Sequence, residues 1–172
     1  MRAKSGFTLV EILIVVVILG ILAAIVIPQF TGASTEAKES ALVSDLQAIR
    51  SQIELYKIQH NDELPGVQQG GVTCTGDDFA TAMTSKTNQD GEVGITAAHR
   101  FGPYMQKIPV NPFSTADAGE SSVGTGVAKM PVDAVGDNST AWWFVISGVD
   151  AGLFQANDDK QNAVNDDYHT NY

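Results

Sequence analysis

The chain has 172 residues: 44% are apolar, 20 are acidic, 10 are basic and one is cysteine. That length allows one modest globular domain with an extension. A net charge of −10 excludes a nucleic-acid binder that works through clustered Lys and Arg, and the single Cys74 excludes an internal disulfide or a cysteine-based zinc site. The apolar residues are unevenly spent: 18 of the 21 from Phe7 to Ile27 are apolar, against about 38% of the remainder.

The chain opens with a short polar stretch carrying Arg2 and Lys4, then Phe7-Thr8-Leu9-Val10-Glu11, then Ile12 to Ile27 without a charge. Twenty-one residues at a helical rise of about 1.5 Å reach about 31 Å, enough to cross a hydrocarbon core. No basic residue follows until Lys38, an asymmetry that predicts a cytoplasmic N-terminus and an exported remainder. A cleaved secretory signal competes with this reading. Its apolar region of roughly 7–15 residues should end at small residues, whereas here the run continues past Ala23-Ala24 to Ile27 and the small residue, Gly6, stands before it. Glu11 is the informative position, because a carboxylate inside an apolar helix costs several kcal/mol unless it is paired. Either it reaches back to the interface, or it meets a positive partner. A free amine on Phe7, released by cutting after Gly6 and presented by a neighbouring subunit, is such a partner.

Lys4-Ser5-Gly6 followed by Phe7-Thr8-Leu9-Val10-Glu11 resembles the type III leader of type IV pilins and pseudopilins. The resemblance implies that a membrane-embedded prepilin peptidase cuts between Gly6 and Phe7 and methylates the new N-terminal Phe7. It implies that Glu11 neutralises the N-terminal amine of an adjacent subunit during assembly. Gly20 and Pro28 match the family pattern in which the helix between them can lose regularity inside the filament. Independently of any family, Gly costs about 1 kcal/mol in a helix interior and Pro removes a backbone hydrogen bond.

Beyond Pro28, residues 34–60 read as an amphipathic helix. Ala37, Ala41, Leu42, Leu46, Ile49, Ile53 and Tyr56 recur at spacings of three or four to give one apolar stripe, with Glu36, Lys38, Glu39, Asp45, Gln47, Arg50, Glu54 and Lys57 on the polar side. Arg50–Glu54 and Glu54–Lys57 are spaced to pair along the helix. Asn61-Asp62 and Leu64-Pro65-Gly66 end it. The stripe spans about three heptads, too few to argue for a coiled coil.

Residues 61–172 hold 15 acidic and five basic side chains. A short helix is predicted over Asp77–Thr87, opened by a Thr75/Asp78 capping box with Phe79, Ala82 and Met83 inward. Ala141–Ile146, rich in aromatic and β-branched residues, reads as a strand that turns at Gly148–Gly152 and returns along Leu153–Ala156 as an antiparallel hairpin. Tyr104–Val110 reads as an edge or loop element limited by Pro103, Pro109 and Pro112. Residues 114–140 read as a long surface loop. The expected fold is α+β: a long N-terminal α-helix, with a transmembrane half and an amphipathic half, packed on a small antiparallel β-sheet head. The expected division is a cleaved leader (1–6), a hydrophobic transmembrane and assembly helix (7–30), an amphipathic helix (31–60) and a periplasmic or extracellular head (61–172).

Val43-Ser44-Asp45-Leu46, Leu55-Tyr56-Lys57, Leu64-Pro65-Gly66 and the run from Gly102 to Pro112 resemble the G-type major pseudopilins of type II secretion systems, and Trp142-Trp143-Phe144 fits the final sheet of that group. The resemblance implies a homo-oligomeric helical filament at the bacterial inner membrane. It further implies a prepilin peptidase, minor pseudopilins and an inner-membrane assembly platform as partners. Many type IVa pilins close a C-terminal loop with two cysteines, which a lone Cys74 cannot do. This favours a pseudopilin over a type IV pilin serving motility, adhesion or DNA uptake, the alternative reading. The insert around 67–100 departs from the compact form of the group.

Calcium is the one cofactor the resemblance implies, held near the last strands. Asn157, Asp158, Asp159, Asp166 and Asp167 are the candidate ligands, although no Asp-x-Asp-x-Asp-Gly loop is present. A solvated acidic surface explains the same residues without a metal. Removing Arg2 and Lys4 with the leader takes the net charge to −12, so divalent cations should help such subunits stack. Nothing argues for an enzyme: His60, His99 and His169 lack metal-ligand spacing, and no serine sits in a Gly-x-Ser-x-Gly elbow. Cys74 reads as a buried or incidental free thiol, and Asn138-Ser139-Thr140 as a sequon without consequence behind a bacterial-type leader.

Overall fold

Among the described residues, a threonine followed three residues later by an acid opens both helices, satisfying backbone N–H groups that a helix start leaves without partners. The computed structural model describes residues 6–67, 74–115, 119, 121–126, 139–158 and 169, with residues 28 and 31 described by their backbone alone. Its elements are α1 (Leu9–Gln59), α2 (Gly76–Thr84), β1 (Val123–Gly126), β2 (Trp142–Val145) and β3 (Phe154–Ala156). They fall into two compact units, Met1–Ala37 and Lys38–Tyr172.

In the first unit α1 is helical through Gly20 and Pro28. Its large apolar side chains all face outward, from Leu9 at 83% exposure to Val26 at 42%.

In the second unit α1 supplies one wall of the core. Glu39, Leu42, Leu46, Ile49, Ile53 and Tyr56 are buried, and His60, just past the helix, continues their line. Alternating steps of three and four keep that line on one face. The predicted stripe is corrected at its start, where Ala37 and Ala41 are exposed and Glu39 is buried. Ala41 lies about 100° around the helix from Leu42, whereas Glu39 is one turn below it. Glu54 and Lys57 pair at 3.1 Å. Arg50 turns to the sheet, where its Nε and Nη2 donate to the Phe154 carbonyl at 3.0 and 2.8 Å. The helix ends as its sequence suggests: Asn61 and Asp62 take left-handed backbone (φ 54° and 65°), and the Asp62 N–H donates to Lys57 O at 2.9 Å.

α2 begins one residue before the predicted start and stops at Thr84, three residues early. Its capping box is complete. The Asp78 carboxylate accepts from the Thr75 N–H (2.9 Å) and hydroxyl (2.7 Å), and Thr75 Oγ1 accepts from the Asp78 N–H. Thr87 leaves the helix because its backbone is used elsewhere, exchanging two hydrogen bonds with Phe101 at 3.0 and 3.1 Å. That bridge gathers residues 85–101 into a lobe, which His60 fastens to the end of α1. The His60 ring bonds to Tyr56 O (2.8 Å) and Thr87 Oγ1 (2.9 Å) and stacks on Tyr56 with centroids 3.8 Å apart. Tyr104–Val110 forms no strand. The N–H groups of Tyr104 and Met105 donate to Met83 O, and the Tyr104 hydroxyl donates to Gln59 Oε1 at 2.6 Å.

The sheet has the order β1-β2-β3 and is mixed. β2 and β3 form the expected antiparallel hairpin, with Phe144 opposite Phe154 and left-handed glycines at 148 and 152 in the turn. β1 runs parallel to β2, pairing Val123 with Trp142 through Gly126 with Val145. Hence the sheet is not antiparallel throughout, and the predicted surface loop 114–140 contains a strand. Gly124 and Gly126 offset the strand preference of Val123 and Thr125; packing selects the strand. A Cβ on Gly124 would come within 2.9 Å of Trp143 Cε3, and one on Gly126 would fall on Trp143 Cζ2, so the indole lies directly across the bare glycines.

Trp142, Phe144 and Phe154 turn inward and meet Phe79 of α2 and the α1 line in one core. Ring centroids lie 4.5 Å apart for Phe79–Phe144 and 5.6 Å for Trp142–Phe154. The buried indole N–H of Trp142 donates to Pro109 O at 2.9 Å. Replacing Gly126 by Val should force the Trp143 ring off β1 and cost about 2 kcal/mol, read by thermal unfolding. A Gly126→Val protein that melts like the wild type would contradict this packing.

Candidate functional site

The processing and assembly residues sit at the start of α1. Gly6 is exposed, and a Cβ there would meet nothing within 4 Å. Phe7 is 83% exposed. Thr8 and Glu11 form a capping box: Glu11 Oε2 accepts from the Thr8 N–H and hydroxyl, both at 2.8 Å, while Thr8 Oγ1 accepts from the Glu11 N–H at 3.2 Å. Glu11 therefore has a local partner in its own chain, which the sequence reading missed although Thr8-Leu9-Val10-Glu11 carries the S/T-x-x-E signature. One carboxylate oxygen holds both bonds, and the side chain stays on the exposed helix surface. Gly20 also stands in open space. Pro28 is helical and has no N–H to give the carbonyl one turn back.

Of the five candidate calcium ligands, Asp159, Asp166 and Asp167 lie outside the described residues. Asn157 and Asp158 are fully buried. Asp158 Oδ1 accepts from His169 Nδ1 and its Oδ2 from Asn111 Nδ2, both at 2.8 Å. Asn157 donates through its side chain to Thr140 Oγ1 at 3.2 Å. Calcium takes six to eight oxygens at about 2.3–2.6 Å, whereas here N–H groups face both oxygens of the carboxylate. Among the described residues no group of three or more His, Cys, Asp or Glu side chains is placed to hold a metal. Asn111 and His169 were not legible as partners of Asp158, since they are 47 and 11 residues from it in the chain.

The remaining chemically notable side chains are structural in their surroundings. His60 serves the lobe described above, and the ring of His99 bonds to Thr96 Oγ1 at 2.7 Å. Cys74 is a buried free thiol, as expected. Its Sγ donates to Thr75 O at 3.2 Å, and its own carbonyl accepts from the Thr125 hydroxyl at 2.6 Å, linking the entry of α2 to β1. Burial and the nearby Asp78 push the thiol up to about 11. Asp78 moves the other way, because the backbone and side-chain hydrogen bonds from Thr75 hold it below the usual carboxylate range.

An acid-bearing apolar helix behind a short basic leader, continued into a small α+β head, defines a pilin-like subunit. Residues 1–27 match the prokaryotic N-terminal methylation motif. The chain is 37% identical over 112 residues to the type II secretion system core protein G of Pseudomonas aeruginosa, covering 65% of this chain and 70% of that protein. It is 33% identical over 112 residues to the Aeromonas hydrophila protein of the same name (65% and 69%) and 41% identical over 115 residues to that of Klebsiella pneumoniae (67% and 73%). No solved structure matches the chain. The chain belongs to the type II secretion system core protein G family, the major pseudopilins.

A thiol raised from 9.0 to about 11 stays protonated at neutral pH. Iodoacetamide should therefore label native Cys74 roughly a hundredfold more slowly than the unfolded chain. The fold favours the neutral thiol, so this stabilising contribution is present below pH 9.0 and lost as pH rises toward about 11. Cys74→Ala should flatten the fall in melting temperature across that window.

Proposed function

We propose that this chain is a structural subunit of the pilus-like filament of a type II secretion system. It is made as an inner-membrane precursor with its N-terminus in the cytoplasm and its head in the periplasm. A prepilin peptidase cuts it between Gly6 and Phe7 and methylates Phe7. Segment 7–30, carrying Gly20 and Pro28, then leaves the bilayer and packs against the same segment of other copies, while 31–60 and the head 61–172 form the filament's outer part. Minor pseudopilins and an inner-membrane platform assist, and an ATPase outside this chain drives assembly. The observation that carries this reading is the outward-facing apolar surface of α1 with a single carboxylate, Glu11, at its start. The relatives' name supports a secretion pseudopilin over an adhesive or motility pilin.

In this scheme Glu11 has two tasks, capping its own helix through Thr8 and meeting the Phe7 amine of a neighbour. Substitution separates them. Thr8→Ala removes the cap, a loss of about 1 kcal/mol, and leaves the carboxylate. Glu11→Ala removes the carboxylate itself, and with it the proposed partner of a neighbour's amine in apolar surroundings. Both variants should insert in the membrane. Sheared-filament yield should fall more than tenfold for Glu11→Ala and much less for Thr8→Ala; equal yields from the two variants refute the intersubunit role.

Mass spectrometry of assembled filaments checks the processing site. The expected N-terminus is methylated Phe7, and Gly6→Ala should accumulate uncut precursor. Filaments that retain Met1, or a Gly6→Ala precursor cut at the wild-type rate, count against the site.

A further inference from the structure

Gly6, Phe7 and Thr8 stand outside α1, which begins at Leu9. Among the described residues the first backbone bond of the helix runs from the Ile12 N–H to Thr8 O at 3.3 Å, and no N–H donates to the carbonyl of Gly6 or Phe7. Both residues are exposed, and a Cβ on Gly6 would meet nothing within 4 Å. Neither residue ends the helix by its own chemistry. Phe7 is an ordinary helix residue. Gly6 is a poor helix former but has no left-handed backbone, so it would weaken a helix there without stopping it.

The stop comes from Thr8. One more turn of helix would have the Glu11 N–H donate four residues back, to the Phe7 carbonyl. That N–H is already taken, because it donates to Thr8 Oγ1 at 3.2 Å. The Thr8 N–H, which a longer helix would also use, donates to Glu11 Oε2 at 2.8 Å. The Thr8 hydroxyl donates to the same oxygen at 2.8 Å, which leaves its own lone pairs for the Glu11 N–H. In apolar surroundings an N–H without a partner costs more than in water, so a helix end there runs on until its free donors are taken. Here they are taken one residue past Phe7.

Hydrolysis adds water across the Gly6–Phe7 bond, leaving a carboxylate on Gly6 and an amine on Phe7. An enzyme doing this must reach the Gly6 carbonyl carbon, and exposed backbone without hydrogen-bond partners meets that need. Helical backbone would first have to open. Resting on the processing site proposed above, we infer that Thr8 is a positioning residue for leader removal. Its hydroxyl, acting through the Glu11 N–H, stops α1 short of the Gly6–Phe7 bond and keeps that bond open to the peptidase.

Full-length precursor in detergent, mixed with a prepilin peptidase, tests this. Loss of an ordinary N-cap shifts a helix-end equilibrium about fivefold. Thr8→Val, which keeps the shape and loses the hydroxyl, should therefore be cut about fivefold more slowly at limiting substrate. The loss should lie in KM and leave kcat unchanged, since only the open fraction of the chain binds. Thr8→Ser and Thr8→Asn, which restore a cap with different shapes, should be cut at close to the wild-type rate. Thr8→Val cut like the wild type overturns the inference. So does Thr8→Ser as slow as Thr8→Val, which means that the enzyme reads side-chain shape. A wild type cut elsewhere than between Gly6 and Phe7 refutes the processing site itself.

Carbonyl carbon-13 NMR of the uncut full-length chain, labelled at Gly6 and Phe7, tests the stop without the enzyme. The wild-type shifts should be those of non-helical backbone, moving toward helical values in Thr8→Val and staying put in Thr8→Ser. Shifts that do not move in Thr8→Val overturn the inference whatever the peptidase does.

Discussion

The first unit cannot shield its own helix from water. Large side chains from Phe7 through Ile27 are outward-facing all around α1, and burying each Val, Leu or Ile is worth about 1.5–3 kcal/mol. Summed over more than a dozen such residues, this free energy dwarfs the usual net stability of a domain, about 5–15 kcal/mol. The first unit therefore requires an apolar environment from outside itself, and both a bilayer and, in the filament proposed above, the matching helices of other copies would provide one. Moving from the first to the second keeps the burial and changes only what supplies it. The polar groups in the segment are then the ones that distinguish the two states. Glu11 is chief among them, and its bonds to Thr8 show how a carboxylate can be tolerated there before any neighbour arrives.

The second unit solves the opposite problem, covering a helix with its own chain. The line from Leu42 to Tyr56 is closed over by Phe79, Trp142, Phe144 and Phe154, and several polar groups beside that closure find partners. The Trp142 indole uses Pro109 O, Arg50 uses Phe154 O, and His60 bonds both to the last turn of α1 and to Thr87. His60 in particular lets residues 85–101 dock without an extensive apolar face of their own. The lobe's apolar tip, Ile95, remains almost fully exposed.

The parts of this fold legible in the sequence are those set by local periodicity and capping. The α1 stripe from Leu42 onward, the Thr75/Asp78 box, the Asn61-Asp62 stop and the β2–β3 hairpin all follow from residues within a few positions of one another. What escaped was set by contacts between distant residues. β1 was hidden because Gly124 and Gly126 have no strand preference, and only the Trp143 ring laid across them makes the position suitable. Thr87 reads as helix by spacing and becomes a bridge because Phe101 pairs with it. Nor does the acidic tail show in sequence that N–H groups from Asn111 and His169 meet the two oxygens of Asp158. The leader and Glu11 were legible in type and position. The Thr8 cap is equally local, carried by the Thr8-Leu9-Val10-Glu11 spacing.

Arg50 gives the head a further property, which concerns force. In the filament proposed above, a pull on the helix would act against the head. In the second unit the contacts that resist it lie side by side along α1: buried side chains from Leu42 to Tyr56, His60 at the end, and the two-pronged grip of Arg50 on the Phe154 carbonyl midway. Anchors arranged in parallel share a load, so sliding the helix by one turn, about 5.4 Å, means extracting every one of them at once. A zipper would yield one contact at a time. This arrangement shears as a block, and the joint between helix and sheet holds against pulling far better than any single bond within it.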